Sequence, residues 1–142
     1  MFKTIVVALD GSPHAERALG VARDLAKESG GSVEAVHVRE IAVVRGGAQT
    51  THADEPEVER RVREQVDGLT HAGIKANLHV LSSTGAPAHQ ISDVADEVGA
   101  DLIVVGTRGH GSVAGLLLGS VTQRLLHLAN CPVLAVPPGK GA

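Results

Sequence analysis

Between Gly106 and Ser120 the chain reads GTRGHGSVAGLLLGS, a glycine-rich stretch that follows the apolar run Asp101 to Val105 and precedes a helical pattern beginning near Val121. A strand that empties into such a loop and then a helix directs backbone N–H groups and a positive helix end at one spot, which suits a phosphate. Gly106 and Gly109 are two residues apart, and nine more precede Gly119 and Ser120. Glycines at these places can take positive φ and admit a ligand close to the backbone, or simply make turns. Ser120 stands where a helix needs an N-cap, and Gln123 three residues later would complete a capping box.

Other residues with reactive side chains form no comparable constellation. None of the eight histidines belongs to H-x-x-x-H, H-E-x-x-H or a Cys/His cluster, so no metal centre is expected. His37 lies inside a strand pattern and reads as a packed or hydrogen-bonded core residue. His110 borders the glycine loop and suits either a phosphate or a solvent-facing turn. Cys131, before Pro132, reads as a small buried hydrophobe rather than a reactive thiol. The P-loop pattern is absent, no G-x-G-x-x-G follows the first strand, and neither HIGH-type nor SGG-x-DS-type adenine-nucleotide signatures stand at its exit, where the chain has LDGSP. No general base is placed by sequence, so binding is better supported than turnover.

The elements that must position the loop alternate along the chain. Lys3 to Leu9 is a buried strand, and Ser12 and Pro13 then open a helix whose Ala15, Ala18, Leu19, Ala22, Leu25 and Ala26 recur at helical spacing until Gly30 and Gly31. Ser32 to Val38 is a second strand, parallel to the first through a right-handed crossover. Arg39 to Asp54 reads as a mobile loop. Glu55 to Ala72 is an amphipathic helix with Val58, Val62, Val66 and Leu69 inward, a solvated run of Glu and Arg outward and Gly73 as C-cap. Asn77 to Leu81 is a strand. Gly85 and Pro87 open a helix carrying Ile91, Val94, Ala95 and Val98, and Asp101 to Val105 delivers the glycine loop. Val121, Leu125, Leu128 and Ala129 face the core from the last helix, and Val133 to Val136 is the last strand. This alternation predicts one doubly wound α/β domain over 1–142.

Composition excludes several function classes. The 142 residues are 43% apolar and 20% charged, ordinary for a globular chain. Phe2 is the one aromatic, too few for a base-stacking surface, and the net charge of -3 offers no basic face, so no nucleic-acid partner is expected. A single cysteine fits a reducing compartment. The start, MFKTIVVALDGS, enters a strand pattern directly rather than a leader, and no run reaches about 18 apolar residues. A cytoplasmic protein without a membrane partner is expected.

The pattern G-x2-G-x9-G-S, with KTIVVALDGS near the N-terminus, VHV at 36–38, GADLIVVGTRGHG at 99–111 and CPVLAVPP near the C-terminus, resembles the universal stress protein family from Lys3 to Pro138. The resemblance weakens only between Arg39 and Glu55. It implies an adenine nucleotide alpha hydrolase-like, Rossmann-like fold with a five-stranded parallel sheet of order 3-2-1-4-5 and helices on both faces. In that order the sheet reverses between the first and fourth strands, where such folds bind ligands. Asp10 then reaches the mouth of the glycine loop, where it can meet ribose hydroxyls, help hold a magnesium ion, or cap the turn beside Ser12.

The nucleotide-binding branch of the family, which the chain resembles, places ATP with its magnesium across this crevice. By position Ala8, Leu9 and Asp10 would line the adenosine side, and Val38 would meet adenine through its backbone. Gly106, Arg108, Gly109, Gly119, Ser120, Val121 and Thr122 would surround the phosphates. The expected activity is ATP binding in stress response or signalling, with occupancy ordering the 39–54 segment or the glycine loop. Slow ATP hydrolysis or adenylate transfer, and a nucleotide-independent interaction scaffold, are the alternatives. The resemblance also implies a homodimer through the last strand, an apolar sheet edge that pairing would cover.

Overall fold

The computed structural model describes residues 2–50, 55–107 and 119–138. Its elements are β1 (Thr4–Ala8), α1 (Pro13–Ser29), β2 (Ser32–Val44), β3 (Gly47–Thr50), α2 (Glu55–His71), β4 (Lys75–Ser83), α3 (Pro87–Val98), β5 (Leu102–Gly106), α4 (Ser120–Leu128) and β6 (Val133–Val136). Five strands run parallel in the order β4-β2-β1-β5-β6, the order 3-2-1-4-5 of the sequence reading. The continuous apolar runs at β1 and β5 are those of strands covered on both faces.

Helix ends follow their local chemistry. The Ser12 hydroxyl oxygen accepts from the Ala15 N–H at 3.3 Å, Pro13 opens α1, and Gly30 ends it in the left-handed region. On α1, Ala15, Ala18, Ala22 and Ala26 are buried, and on α2 Val58, Val62, Val66 and Leu69 are. Both helices share one core with Ile5, Val7, Val33, Ala35 and Val104. Ala88, Ile91, Val94 and Ala95 of α3 and Leu125 of α4 cover Val6, Val36, Ile103 and Val105 on the opposite face. The strand alternation thus divides neighbouring valines between two cores.

Two segments depart from the expectation. Arg39 to Val44 is not loop but a continuation of β2, and β3 pairs with it antiparallel from Ile41↔Thr50 to Val44↔Gly47. Ile41, Val43 and Val44 favour an extended chain, and Arg45-Gly46 makes a two-residue turn with Gly46 at φ 97°. Residues 51–54 of the same segment lie outside the described residues. The second departure is Glu55. It is 4% exposed, not part of the solvated face, whereas Glu57, Glu59, Arg60, Arg63 and Glu64 of the same helix do form exposed or rim ion pairs at i,i+3 and i,i+4.

Candidate nucleotide crevice

β1 and β5 are adjacent and parallel, with Ile5 opposite Leu102 and Val7 opposite Val104, so they end at the same edge of the sheet. The chain leaves β1 for α1 on one face and leaves β5 for α4 on the other. Their exits diverge, and in open parallel sheets ligands bind between two such exits, here the Leu9–Ser12 turn and the N-terminus of α4.

On the α4 side, the chain that departs at Thr107 returns at Gly119. The Gly119 N–H donates to the Thr107 carbonyl at 2.7 Å, and the Thr107 N–H donates to Val136 O at 3.0 Å. Thr122, 2% exposed, donates its hydroxyl proton to the Gly106 carbonyl at 2.8 Å. These bonds hold Gly106, Gly119 and Thr122 together at the end of β5.

The cap of α4 is Gly119, not Ser120. Gly119 is extended (φ -69°, ψ 160°), its carbonyl accepts from the Gln123 N–H at 3.1 Å, and Ser120 is the first helical residue with an exposed side chain. The capping box therefore does not form, because Ser120 is one position too far along for its hydroxyl to turn back over the helix end. Among the described residues no side chain caps α4, and the N–H groups of Ser120, Val121 and Thr122 have no acceptor within the helix. Three aligned donors at the positive end of the helix dipole are an anion site in chemical terms.

On the β1 side, Asp10 Oδ1 accepts from the Ser12 N–H at 2.9 Å, so the carboxylate is held at the turn while Ser12 does the helix capping. Gly11 has φ +77°, and a Cβ there would lie 2.8 Å from Val58 Cγ1. Only glycine meets both demands, and the turn thereby rests directly on α2. Leu9 donates its N–H to Val36 O at 2.9 Å. Ala8, at the last rung of the β1–β2 ladder, and Val38, in β2, pack against the α3/α4 core.

Ala8, Leu9 and Asp10 thus lie at the carboxyl end of β1 and Gly106 at that of β5, Val38 lies within β2 just past its ladder with β1, and Gly119, Ser120, Val121 and Thr122 lie at the start of α4. Arg108 and Gly109, like His110, lie outside the described residues. Sequence reasoning missed one feature of this edge. His37, 3% exposed, is a core residue as expected, but it bonds Glu55, which the sequence reading assigned to solvent. Pro56 was the available signal, since it puts Glu55 at the very start of α2, where the helix end turns inward.

Among the described residues no group of three or more His, Cys, Asp or Glu side chains can hold a metal, and no helix is long and apolar enough to cross a membrane. Cys131 packs against the α3/α4 core, and burial, then Asp96 and Asp101, push its thiol pKa up.

The family model described as "Universal stress protein family" matches residues 1–137. The chain belongs to the universal stress protein family. A universal stress protein of Thermus aquaticus, described by its place in the QAH/OAS sulfhydrylase 3' region, is 39% identical over 137 residues, covering 96% of this chain and 99% of that one. Among solved structures, the universal stress protein from Archaeoglobus fulgidus in complex with dAMP superposes with a TM-score of 0.71 at 32% identity, over 94% of this chain and 97% of that one. A universal stress protein in complex with cAMP superposes with a TM-score of 0.71 at 28% identity, over 97% of this chain and 99% of that one.

Proposed function

We propose that this universal stress protein binds ATP with its magnesium in the crevice between the Leu9–Ser12 turn and α4, as a cytoplasmic, nucleotide-dependent module of stress response. The observation that carries the reading is the start of α4. Among the described residues, the three N–H donors of the first turn meet no capping side chain, at the edge of the sheet where Asp10 also stands. The phosphates would meet Gly106, Gly119, Ser120, Val121 and Thr122, with Arg108 and Gly109 completing the loop. Adenosine would lie against Ala8, Leu9, Asp10 and the Val38 backbone. Complexes of two family members with dAMP and cAMP support an adenine nucleotide as the ligand.

The test is titration calorimetry with Mg-ATP, AMP and cyclic AMP, after a denatured sample has been chromatographed for co-purified nucleotide. Saturable heat, or nucleotide in the extract, is the expected result; neither would overturn the assignment. Phosphate release no faster than from Asp10→Ala would place the activity in binding rather than hydrolysis.

The same protein is proposed to be a homodimer through β6. Leu134 on this edge strand is 39% exposed, and pairing with a second copy would cover both the side chain and a backbone row that no other described strand pairs. Sedimentation showing only monomer at micromolar concentration would refute the dimer without touching the nucleotide site.

A further inference from the structure

We infer that His37 and Glu55, a buried pair beneath the crevice, are positioning residues that set its adenosine side; the inference rests on the nucleotide reading above. His37 Nδ1 lies 2.9 Å from the Leu9 carbonyl oxygen, and Nε2 lies 2.6 Å from Glu55 Oε1. A carbonyl only accepts, so Nδ1 carries a proton and donates it. The second contact needs one more proton, between the ring nitrogen and the carboxyl oxygen. Both bonds then hold at once, and the ring is locked between β1 and the first residue of α2.

The consequence falls on the backbone. The β1–β2 ladder ends at the Ala8–Val36 pair, with one further bond from the Leu9 N–H to Val36 O. A parallel ladder carried one step further would bring the Val38 N–H to the Leu9 carbonyl. The His37 ring takes that carbonyl instead. Among the described residues the β1–β2 ladder stops there, and the Val38 backbone edge on the β1 side is not spent on β1. This is the edge that adenine would meet. Gly11 against Val58 supports the same turn from the same helix, so α2 sets the position of Leu9, Gly11 and, through them, Asp10.

Substitutions separate positioning from general stability. In Glu55→Gln the amide donates to a neutral Nε2 while Nδ1–H still serves Leu9, so both bonds survive without the carboxyl. In Glu55→Ala the ring loses its anchor. A double variant, His37→Leu with Glu55→Leu, replaces the pair by apolar side chains, a change that buried ion pairs tolerate in folding terms. Each is titrated with Mg-ATP and with magnesium tripolyphosphate, which tests the α4 side alone.

The expected result is about a tenfold loss of ATP affinity in Glu55→Ala and in the double variant, the size of one hydrogen-bonded contact, with tripolyphosphate affinity kept and Glu55→Gln close to the parent. Unchanged ATP affinity in the double variant, or an equal loss for both ligands, would overturn the inference. The unsubstituted protein is titrated first: if it binds neither ligand, the nucleotide reading itself fails and takes the inference with it, a result distinct from binding that the variants leave intact.

Discussion

Replacing Gly119 by serine sets stability against binding at one atom. The backbone there is extended, with φ -69°, so serine adopts it without strain, and among the described residues its Cβ would meet only Thr107 O at 3.4 Å. The new hydroxyl would sit at the N-cap and accept from the open N–H groups of the first turn. Serine exceeds glycine at this position by a few tenths of a kcal/mol, and removing a glycine from the unfolded chain adds ~0.5 kcal/mol. Gly119→Ser is thus expected to be more stable by about 1 kcal/mol, a rise in melting temperature of roughly 3 °C for a chain of this size.

The same hydroxyl would occupy a donor that the proposed phosphate site uses. A hydrogen bond to a charged group contributes ~1.5–3 kcal/mol, so affinity for Mg-ATP should fall between about tenfold and a hundredfold. Scanning calorimetry and titration on one preparation read both effects. Gly119→Ala is the control, since alanine caps less well than glycine by an amount that offsets the unfolded-chain gain, so no net stabilisation is expected. A Gly119→Ser protein that melts higher yet binds ATP like the parent would refute the placement of phosphate at α4. One that gains no stability would refute the open cap.

Three further outcomes follow from the packing. Gly11→Ala must force a left-handed residue and a 2.8 Å contact with Val58 Cγ1, and should lose about 2–4 kcal/mol in denaturant unfolding. Combining it with Val58→Ala should recover the steric share, and strictly additive losses would refute the contact. Val62→Ala, at a fully buried site, should lose about 2–3 kcal/mol, while Arg60→Ala on the exposed face of the same helix should leave stability essentially unchanged; equal effects would contradict the orientation of α2. Burial first, then Asp96 and Asp101, raise the Cys131 thiol pKa, so less thiolate is present at pH 8 than for a free thiol. Alkylation by iodoacetamide should be slower than for a free thiol and catch up only at higher pH; an equal rate at pH 8 would refute this.

Local chemistry legible in the sequence decided much of the architecture. Apolar runs of strand length, the Ser12-Pro13 start and Gly30 stop of α1, and the 3.6-residue spacing of alanines and valines all follow from the nearest neighbours in the chain, so they survive folding unchanged. The position of Asp10 and of the Gly119–Thr122 segment at strand ends followed from that alternation. The β2–β3 hairpin was readable too, in Ile41, Val43 and Val44 ahead of Arg45-Gly46, but the polar residues around it obscured the strand.

What tertiary structure alone decided are choices between neighbours that local preference leaves nearly equal. Serine caps better than glycine in isolation, yet the bonds from Gly119 to Thr107 and from Thr122 to Gly106 fix where α4 begins, and the helix starts one residue earlier than the Ser120 hydroxyl would need. Glu55 belongs by composition to a charged helix face, but His37 lies 18 residues away in sequence and 2.6 Å away in space. No window along the chain contains that contact. Hydrophobic periodicity reports which face of an element is buried, whereas the partner of a buried polar group depends on which strands the sheet sets side by side.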